Sequence, residues 1–109
     1  MEQVYNKLVR DKIPNIIENN GEKAIIRILN DDDYKIELEK KLYEEYQEVI
    51  EASGNDRIEE LADMLEIIRS LAKLENKTLD DVMEVAKVKC LKRGGFEEKI
   101  FLEKTIKSS

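Results

Sequence analysis

The chain has 109 residues, of which 41% are hydrophobic and 40% charged, with a net charge of −6. This length predicts a single domain over 1–109, and the acidic balance argues against nucleic-acid binding as the main role. The absence of histidine excludes Ser-His and Cys-His catalysis and the usual zinc sites.

The cysteine count and the hydropathy of the sequence indicate where in the cell the protein is expected. Cys90 is the single cysteine, so no intrachain disulfide forms and a reducing environment fits best. The first residues contain no signal-peptide pattern, and no run of about 18 apolar residues follows. We therefore expect a cytoplasmic protein that does not bind membranes.

The first half of the sequence predicts two helices and a strand. The segment "KLVRDKIPNIIENNG" predicts a short helix, with Pro14 in its first turn and Gly21 at its end. "KAIIRIL" is short and β-branched, which predicts a strand over about 24–29. The acidic run at 31–33 provides N-cap candidates for a long helix that ends at Gly54.

The second half predicts two more helices and another strand. Asp56 is the candidate cap of a helix to about Asn76, and "TLDD" is similar to a capping box that opens a helix ending at Gly94. "KIFLEKTIK" predicts a strand over about 99–104, which we pair with 24–29 because a lone strand leaves its backbone groups unsatisfied. The expected fold is mainly α, with four helices and this two-stranded β element.

Four carboxylates stand out when each residue is advanced by about 100° around its helix. Glu45 and Glu48 lie beside the apolar stripe of the long helix that ends at Gly54. On the following helix, Glu60 falls within an apolar sector and Asp63 lies at its margin. An ionised carboxylate among apolar residues is costly unless it is paired or bound to a cation.

The short turn between these two helices makes them antiparallel neighbours, so the two acidic pairs can face each other. Four converging carboxylates repel one another, and a hard divalent cation removes that cost. Ligation by oxygen alone suits Mg²⁺ or Mn²⁺. The alternative is that each acidic pair is an ordinary solvated face of a charged helical protein.

The motifs "EEYQE" and "EELAD" together resemble the EExxE…ExxD signature of the MazG-like all-α nucleoside triphosphate pyrophosphatases. "YNKLVRDKIPNII", "KAIIRIL" and "KRGGFEEKIFL" extend the resemblance toward a small house-cleaning branch of that superfamily. The resemblance implies a MazG-like helical domain. It also implies Mg²⁺-dependent cleavage of the α–β phosphoanhydride of a nucleotide, giving a monophosphate and pyrophosphate.

Carried over by position, the resemblance assigns Glu45, Glu48, Glu60 and Asp63 as metal ligands. Glu48, followed by Glu45, is the catalytic candidate for orienting the attacking water. Glu44 matches the first residue of the signature, but the helical wheel turns it to the opposite side.

A triphosphate substrate also needs cations from the protein. The candidates for binding it are Lys7, Arg10, Lys12, Lys89 and Arg93. Arg10 and Arg93 are favoured because a guanidinium can hold a phosphate through two hydrogen bonds.

The helix that carries Glu60 is apolar around more than half of its circumference, more than one neighbouring helix covers. We therefore expect a homodimer or a higher homo-oligomer. Two other functions stay open: a phosphoribosyl-ATP pyrophosphohydrolase, which shares the site, and a non-catalytic helical interaction or regulatory module.

Overall fold

A computed structural model describes residues 2–107, and this part of the chain is mainly helical, as predicted. The four helices are α1 (Ile13–Asn19), α2 (Asp31–Glu51), α3 (Gly54–Leu74) and α4 (Leu79–Arg93). No helix in the described range is long and apolar enough to cross a membrane.

The helix starts follow from local hydrogen bonding, with small shifts from prediction. Pro14 lies in the first turn of α1. Asn30 caps α2, because its side chain accepts a 2.8 Å hydrogen bond from the backbone N–H of Asp33. The acidic run after Asn30 occupies the first turn instead, where negative charge is favoured by the helix dipole. Asp56 likewise lies inside the first turn of α3, which begins at Gly54.

The link between α2 and α3 is two residues long, Ala52 and Ser53. Gly54 has a φ of 59°, a left-handed conformation that costs glycine little. The Arg57 side chain then returns to the end of α2, where its Nε donates to the carbonyls of Val49 at 3.1 Å and Ala52 at 3.2 Å. These bonds satisfy carbonyls that the helix end would leave unpaired, and they hold α2 and α3 as an antiparallel hairpin.

The predicted two-stranded β element was wrong for the described residues, which contain no strand. Segments 24–29 and 99–104 share no backbone hydrogen bonds, and Ile25 and Phe101 are 82% and 79% exposed. The β-branched composition favours an extended backbone, but pairing requires the two segments to lie about 5 Å apart. Among the helices, α4 contacts only α3. Residues 99–104, which follow α4, therefore do not come back beside residues 24–29, which precede α2.

Much apolar surface remains open in the single chain. Among the described residues, only Leu38 and Leu79 are buried hydrophobic side chains. Tyr46 lies on the apolar stripe of α2, and Leu61 and Leu65 lie on that of α3, yet these side chains are 55%, 43% and 44% exposed. The radius of gyration is 19.3 Å, whereas a compact domain of this length has about 13 Å. The chain is therefore extended, and its helices do not enclose a full core.

α4 is fixed at its start and projects from the hairpin thereafter. The predicted capping box is present: the Asp81 N–H donates to Thr78 Oγ1 at 3.1 Å, and the Thr78 N–H donates to Asp81 Oδ2 at 2.9 Å. The hydrogen bond from the Thr78 N–H to the carboxylate, together with the Thr78 hydroxyl, lowers the pKa of Asp81. Every α4 residue after Leu79 is exposed. The stability of α4 therefore depends strongly on its cap.

We expect Thr78→Ala to weaken α4 by about 1 kcal/mol, because one capping hydrogen bond is lost. Amide hydrogen exchange within α4 should become roughly fivefold faster, while exchange in α2 and α3 stays unchanged. Thr105→Ala in the C-terminal segment is the matched control and should leave α4 as it is. Equal exchange in the two variants would contradict the role assigned to the cap.

Candidate metal centre

Three of the four predicted acidic ligands converge on the hairpin. Glu45 of α2 and Glu60 and Asp63 of α3 each offer a carboxylate oxygen, and these oxygens lie within 4.8 Å of one another. Glu45 lies seven residues before Ala52, and Glu60 lies seven residues after Ser53, so an antiparallel hairpin brings them level. Asp63 follows Glu60 by one turn. We call Glu45, Glu60 and Asp63 the carboxylate cluster.

Two oxygens of the carboxylate cluster receive no hydrogen bond from an N–H or hydroxyl group. Glu45 Oε2 and Glu60 Oε2 are each buried from solvent, and no such donor among the described residues reaches them. Buried polar atoms normally have a partner, because leaving a charged one unsatisfied costs several kcal/mol. A divalent cation that prefers oxygen ligands, such as Mg²⁺ or Mn²⁺, would satisfy both atoms at once. The donor set therefore fits a hard metal ion.

Protonation of Glu45 is the other way to relieve the repulsion. Several influences together raise the pKa of Glu45 to about 8. Burial is the largest, followed by the hydrogen bond with Glu60 and the charge of Glu48. Two carboxylates can share a hydrogen bond only when one of them carries the proton. Because the pKa values of Glu45 and Glu60 are both raised, the pair keeps a proton near neutral pH when no metal is bound, and the larger rise is at Glu45.

Glu60 is affected by several opposing influences. The hydrogen bond with Glu45 lowers the pKa of Glu60, because Glu45 acts as the donor. A hydrogen bond with Glu48, burial, and the charges of Glu48 and Asp63 outweigh that effect, so the pKa of Glu60 is raised overall. Glu45 and Glu60 together thus resist full ionisation.

Glu48, the remaining predicted ligand, is exposed and lies outside the group whose oxygens converge. Its charge nevertheless acts on both Glu45 and Glu60, which places it close beside them. Glu48 is therefore free to interact with a water or substrate next to the cluster.

Arg10 is the predicted cation that reaches the carboxylate cluster. Its Nη2 donates to Asp63 Oδ1 at 2.6 Å, across 53 positions of sequence. Both side chains are about half exposed, and ion pairs of this kind contribute about 0–1 kcal/mol. A metal ion or a phosphate can therefore displace this contact at little cost. Nothing in the sequence pattern indicates this pair.

The other predicted cations lie elsewhere. The Lys7 ammonium is 5.8 Å from the centre of the Tyr5 ring. Lys12 is the N-cap residue of α1. Lys89 and Arg93 are exposed on α4, and neither takes part in an ion pair within the described residues. The single chain therefore presents Arg10, but not these four residues, to the carboxylates.

Comparison with known proteins adds little functional information. No protein-family model matches the chain, and no solved structure matches it. A stretch of 50 residues is 44% identical to an uncharacterized protein of Mycolicibacterium smegmatis. That similarity covers 46% of this chain and 51% of that protein, so the chain spans about half the length of this relative.

The raised pKa of Glu45 predicts a pH-dependent stability in metal-free buffer. Between about 4.5 and 8 the folded chain binds more protons than the unfolded chain, so the free energy of unfolding falls as pH rises. Glu45→Gln removes the titrating group. The variant should therefore melt at a higher temperature than the parent at pH 8, and the difference should shrink toward pH 5.

Glu44→Gln changes the same residue type one position away on an exposed side and serves as the control. It should follow the pH profile of the parent. Parallel profiles for all three proteins would contradict the assignment of the proton to Glu45. Addition of Mg²⁺ should stabilise the parent at pH 8 and Glu45→Gln much less.

Proposed function

We propose that the protein is a Mg²⁺-dependent nucleotide pyrophosphohydrolase. It cleaves the α–β phosphoanhydride of a nucleoside or deoxynucleoside triphosphate, or of a related nucleotide, to a monophosphate and pyrophosphate. A house-cleaning role follows from the MazG-like resemblance of its motifs. The observation that carries the proposal is the pair of buried, unpartnered carboxylate oxygens on Glu45 and Glu60.

Those oxygens favour a metal-binding role over a solvated face. On an ordinary solvated face, carboxylates can stay apart in water. Here three carboxylates from two helices lie close together, and the pKa values of Glu45 and Glu60 are raised. Function is the usual reason for keeping such costly arrangements, although structural networks also produce them. The absence of histidine also limits the chemistry to carboxylates and cations.

The residues have distinct roles in the proposed reaction. Glu45, Glu60 and Asp63 would hold Mg²⁺, which when bound supplies charge neutralisation for the phosphates and an activated water. Glu48, exposed beside the cluster, orients the attacking water and accepts its proton. Arg10 leaves Asp63 and donates two hydrogen bonds to a phosphate group. No covalent nucleophile is required.

The two alternatives differ in what they predict. A phosphoribosyl-ATP pyrophosphohydrolase uses the same residues and differs only in substrate, so that compound belongs in the assay panel. A non-catalytic helical interaction module predicts no turnover of any nucleotide and no stabilisation by Mg²⁺. A thermal-shift titration with Mg²⁺ and nucleotides distinguishes this module from either enzyme.

We expect pyrophosphate release from at least one member of a panel of nucleoside triphosphates in Mg²⁺ buffer, and none with excess EDTA. Glu60→Gln should lower kcat/KM at least about 100-fold, because a bound metal contributes several kcal/mol to transition-state stabilisation. Glu59→Gln is the neighbouring exposed control and should stay within about twofold of the parent.

The absence of turnover over the whole panel with Mg²⁺ and with Mn²⁺ would rule out the proposed function. Equal losses in Glu59→Gln and Glu60→Gln would instead show that general acidity, and not the cluster, supports the activity. Circular dichroism of both variants checks that the fold is retained.

Arg10→Gln should affect nucleotide binding and metal binding differently. The KM for the nucleotide should rise about 10–100-fold, because a charged hydrogen bond contributes about 1.5–3 kcal/mol. Mg²⁺ binding without nucleotide should be unchanged or tighter, because the guanidinium no longer competes for Asp63. Arg27→Gln, in the exposed segment before α2, is the control. An unchanged KM in Arg10→Gln would remove Arg10 from the substrate site.

A further inference from the structure

The C-terminal end of α1 carries a pair of residues with a chemistry of its own. Asn20 is followed by Gly21, and Asn20 is the one asparagine in the sequence that precedes a glycine. The other asparagines precede lysine, isoleucine, asparagine or aspartate. A side chain on the following residue obstructs the approach to its backbone nitrogen, whereas glycine leaves that nitrogen open and lets the backbone rotate. The Asn20 side chain is therefore the asparagine amide that the backbone attacks most readily.

The reaction of such a pair needs water as its only reagent, and asparagine is among the thermolabile residues. The Gly21 backbone nitrogen loses its proton to solvent and attacks the side-chain carbonyl carbon of Asn20. A new N–C bond closes a cyclic imide, and the side-chain amide takes up a proton and leaves as ammonia. Water then opens the imide at either carbonyl. The product is aspartate, or isoaspartate when the main chain continues through the former side-chain carbonyl.

The structure leaves room for the imide. Asn20 and Gly21 are both exposed. A methyl group placed on Gly21 would meet no heavy atom within 4 Å beyond its chain neighbours. The helix contacts within the described residues are those of α2 with α3 and of α3 with α4, so no helix packs on α1. Restraint on Asn20 therefore comes from local hydrogen bonds.

Those hydrogen bonds close the last turn of α1. The Gly21 N–H donates to the carbonyl of Glu18 at 3.1 Å, and the Glu22 N–H donates to the carbonyl of Ile17 at 3.3 Å. The ψ of Asn20 is 8° and the φ of Gly21 is 90°. In this conformation the proton of the attacking nitrogen is held by Glu18. The last turn of α1 must therefore open before the nitrogen can react.

Opening of that turn requires little free energy. α1 has seven residues, none of them buried, and its N-cap makes no side-chain hydrogen bond. An isolated helix shorter than about 12–15 residues is marginal in water. Fraying ends of this kind open with a free energy near zero, so the fold should slow the attack less than about tenfold relative to the unfolded chain.

We propose that Asn20 is a site of spontaneous deamidation and that the isoaspartate formed there unwinds the end of α1. Isoaspartate inserts an extra carbon into the main chain, so the N–H groups of Gly21 and Glu22 no longer align with their acceptors. It also places a carboxylate at the end of the helix, where the dipole disfavours negative charge. No basic residue lies in the last turn of α1 to offset this charge.

The effect of the modification extends to the start of α1. The Ile13 N–H donates to the carbonyl of Arg10 at 3.0 Å, and the Ile16 N–H donates to the carbonyl of Lys12 at 3.1 Å. Unwinding of α1 removes these bonds and loosens the backbone beside the Arg10–Asp63 ion pair. Neither the deamidation nor the unwinding requires metal, nucleotide or catalytic activity.

Incubation of the purified chain in mildly alkaline buffer, followed by peptide mapping with mass spectrometry, tests the modification. The peptide that contains Asn20 should gain the mass of an amide-to-acid conversion and separate into two species. Peptides that contain Asn55 or Asn76 should stay unchanged. An isoaspartate-specific carboxyl methyltransferase should label the aged chain. The rate in the folded chain should lie within about tenfold of the rate in urea.

Asn20→Gln is the matched control, because it keeps a side-chain amide but would have to close a larger ring. This variant should keep its mass and remain unlabelled. A parent chain that retains Asn20 throughout, or a folded rate more than about tenfold below the rate in urea, would overturn the proposal. Equal deamidation at Asn20 and Asn55 would also overturn it, because Gly21 would then have no special part.

Nuclear magnetic resonance separates the modification from its effect on α1. In the isoaspartate form, purified by reversed-phase chromatography and refolded, the Cα chemical shifts of Ile13–Asn19 should move toward random-coil values. The shifts of α2 and α3 should stay as in the fresh chain. Asn20→Asp adds the charge without lengthening the main chain, so it should move the α1 shifts less. Unchanged α1 shifts in the isoaspartate form would contradict the unwinding.

Discussion

Electrostatic repulsion between Glu45 and Glu60 is the constraint on which the rest of the structure depends. Their side chains meet across the hairpin, and one oxygen of each is buried without a partner. Two ionised carboxylates at this separation would push the helices apart, since their interaction is poorly screened away from water. The hairpin tolerates the contact by retaining a proton on Glu45 or by binding a cation.

The hairpin keeps the carboxylates together for reasons that lie outside the cluster. The link of two residues allows little freedom, and Arg57 bonds the start of α3 to the end of α2. Leu38 on α2 is the most buried of the described residues, at 3% exposure. Packing and capping thus offset the repulsion, which leaves the cluster poised for a ligand of opposite charge.

Residues 45–50 and 60–65 follow the same order of glutamate, apolar and acidic residues, and this order gives the hairpin two different sides. The acidic members turn to one side, where Arg10 meets Asp63, and the apolar members turn to the other. A change that disturbs the register of the hairpin would therefore alter both surfaces at once. Changes on one side of the hairpin should leave the other side intact.

Local signals in the sequence predicted the helices well. Pro14, the capping box at Thr78 and the glycine at 94 each impose a backbone conformation that needs no tertiary contact. The convergence of Glu45 with Glu60 followed from helical periodicity and a short link. By contrast, the pairing of 24–29 with 99–104 and the Arg10–Asp63 contact depend on how distant segments are placed, which periodicity does not encode. The apolar stripes of α2 and α3 were predicted to face neighbouring elements, and they are half exposed in the single chain.

We propose that the carboxylate cluster binds a hard divalent cation beside a nucleotide. Anomalous diffraction from crystals grown with Mn²⁺ and a non-hydrolysable triphosphate tests it most directly. We predict a Mn²⁺ peak ligated by Glu45, Glu60 and Asp63, with the phosphates on its open side and Arg10 turned from Asp63 to a phosphate oxygen. Ordered nucleotide without a metal peak at these residues, or a peak at other carboxylates, would contradict the account.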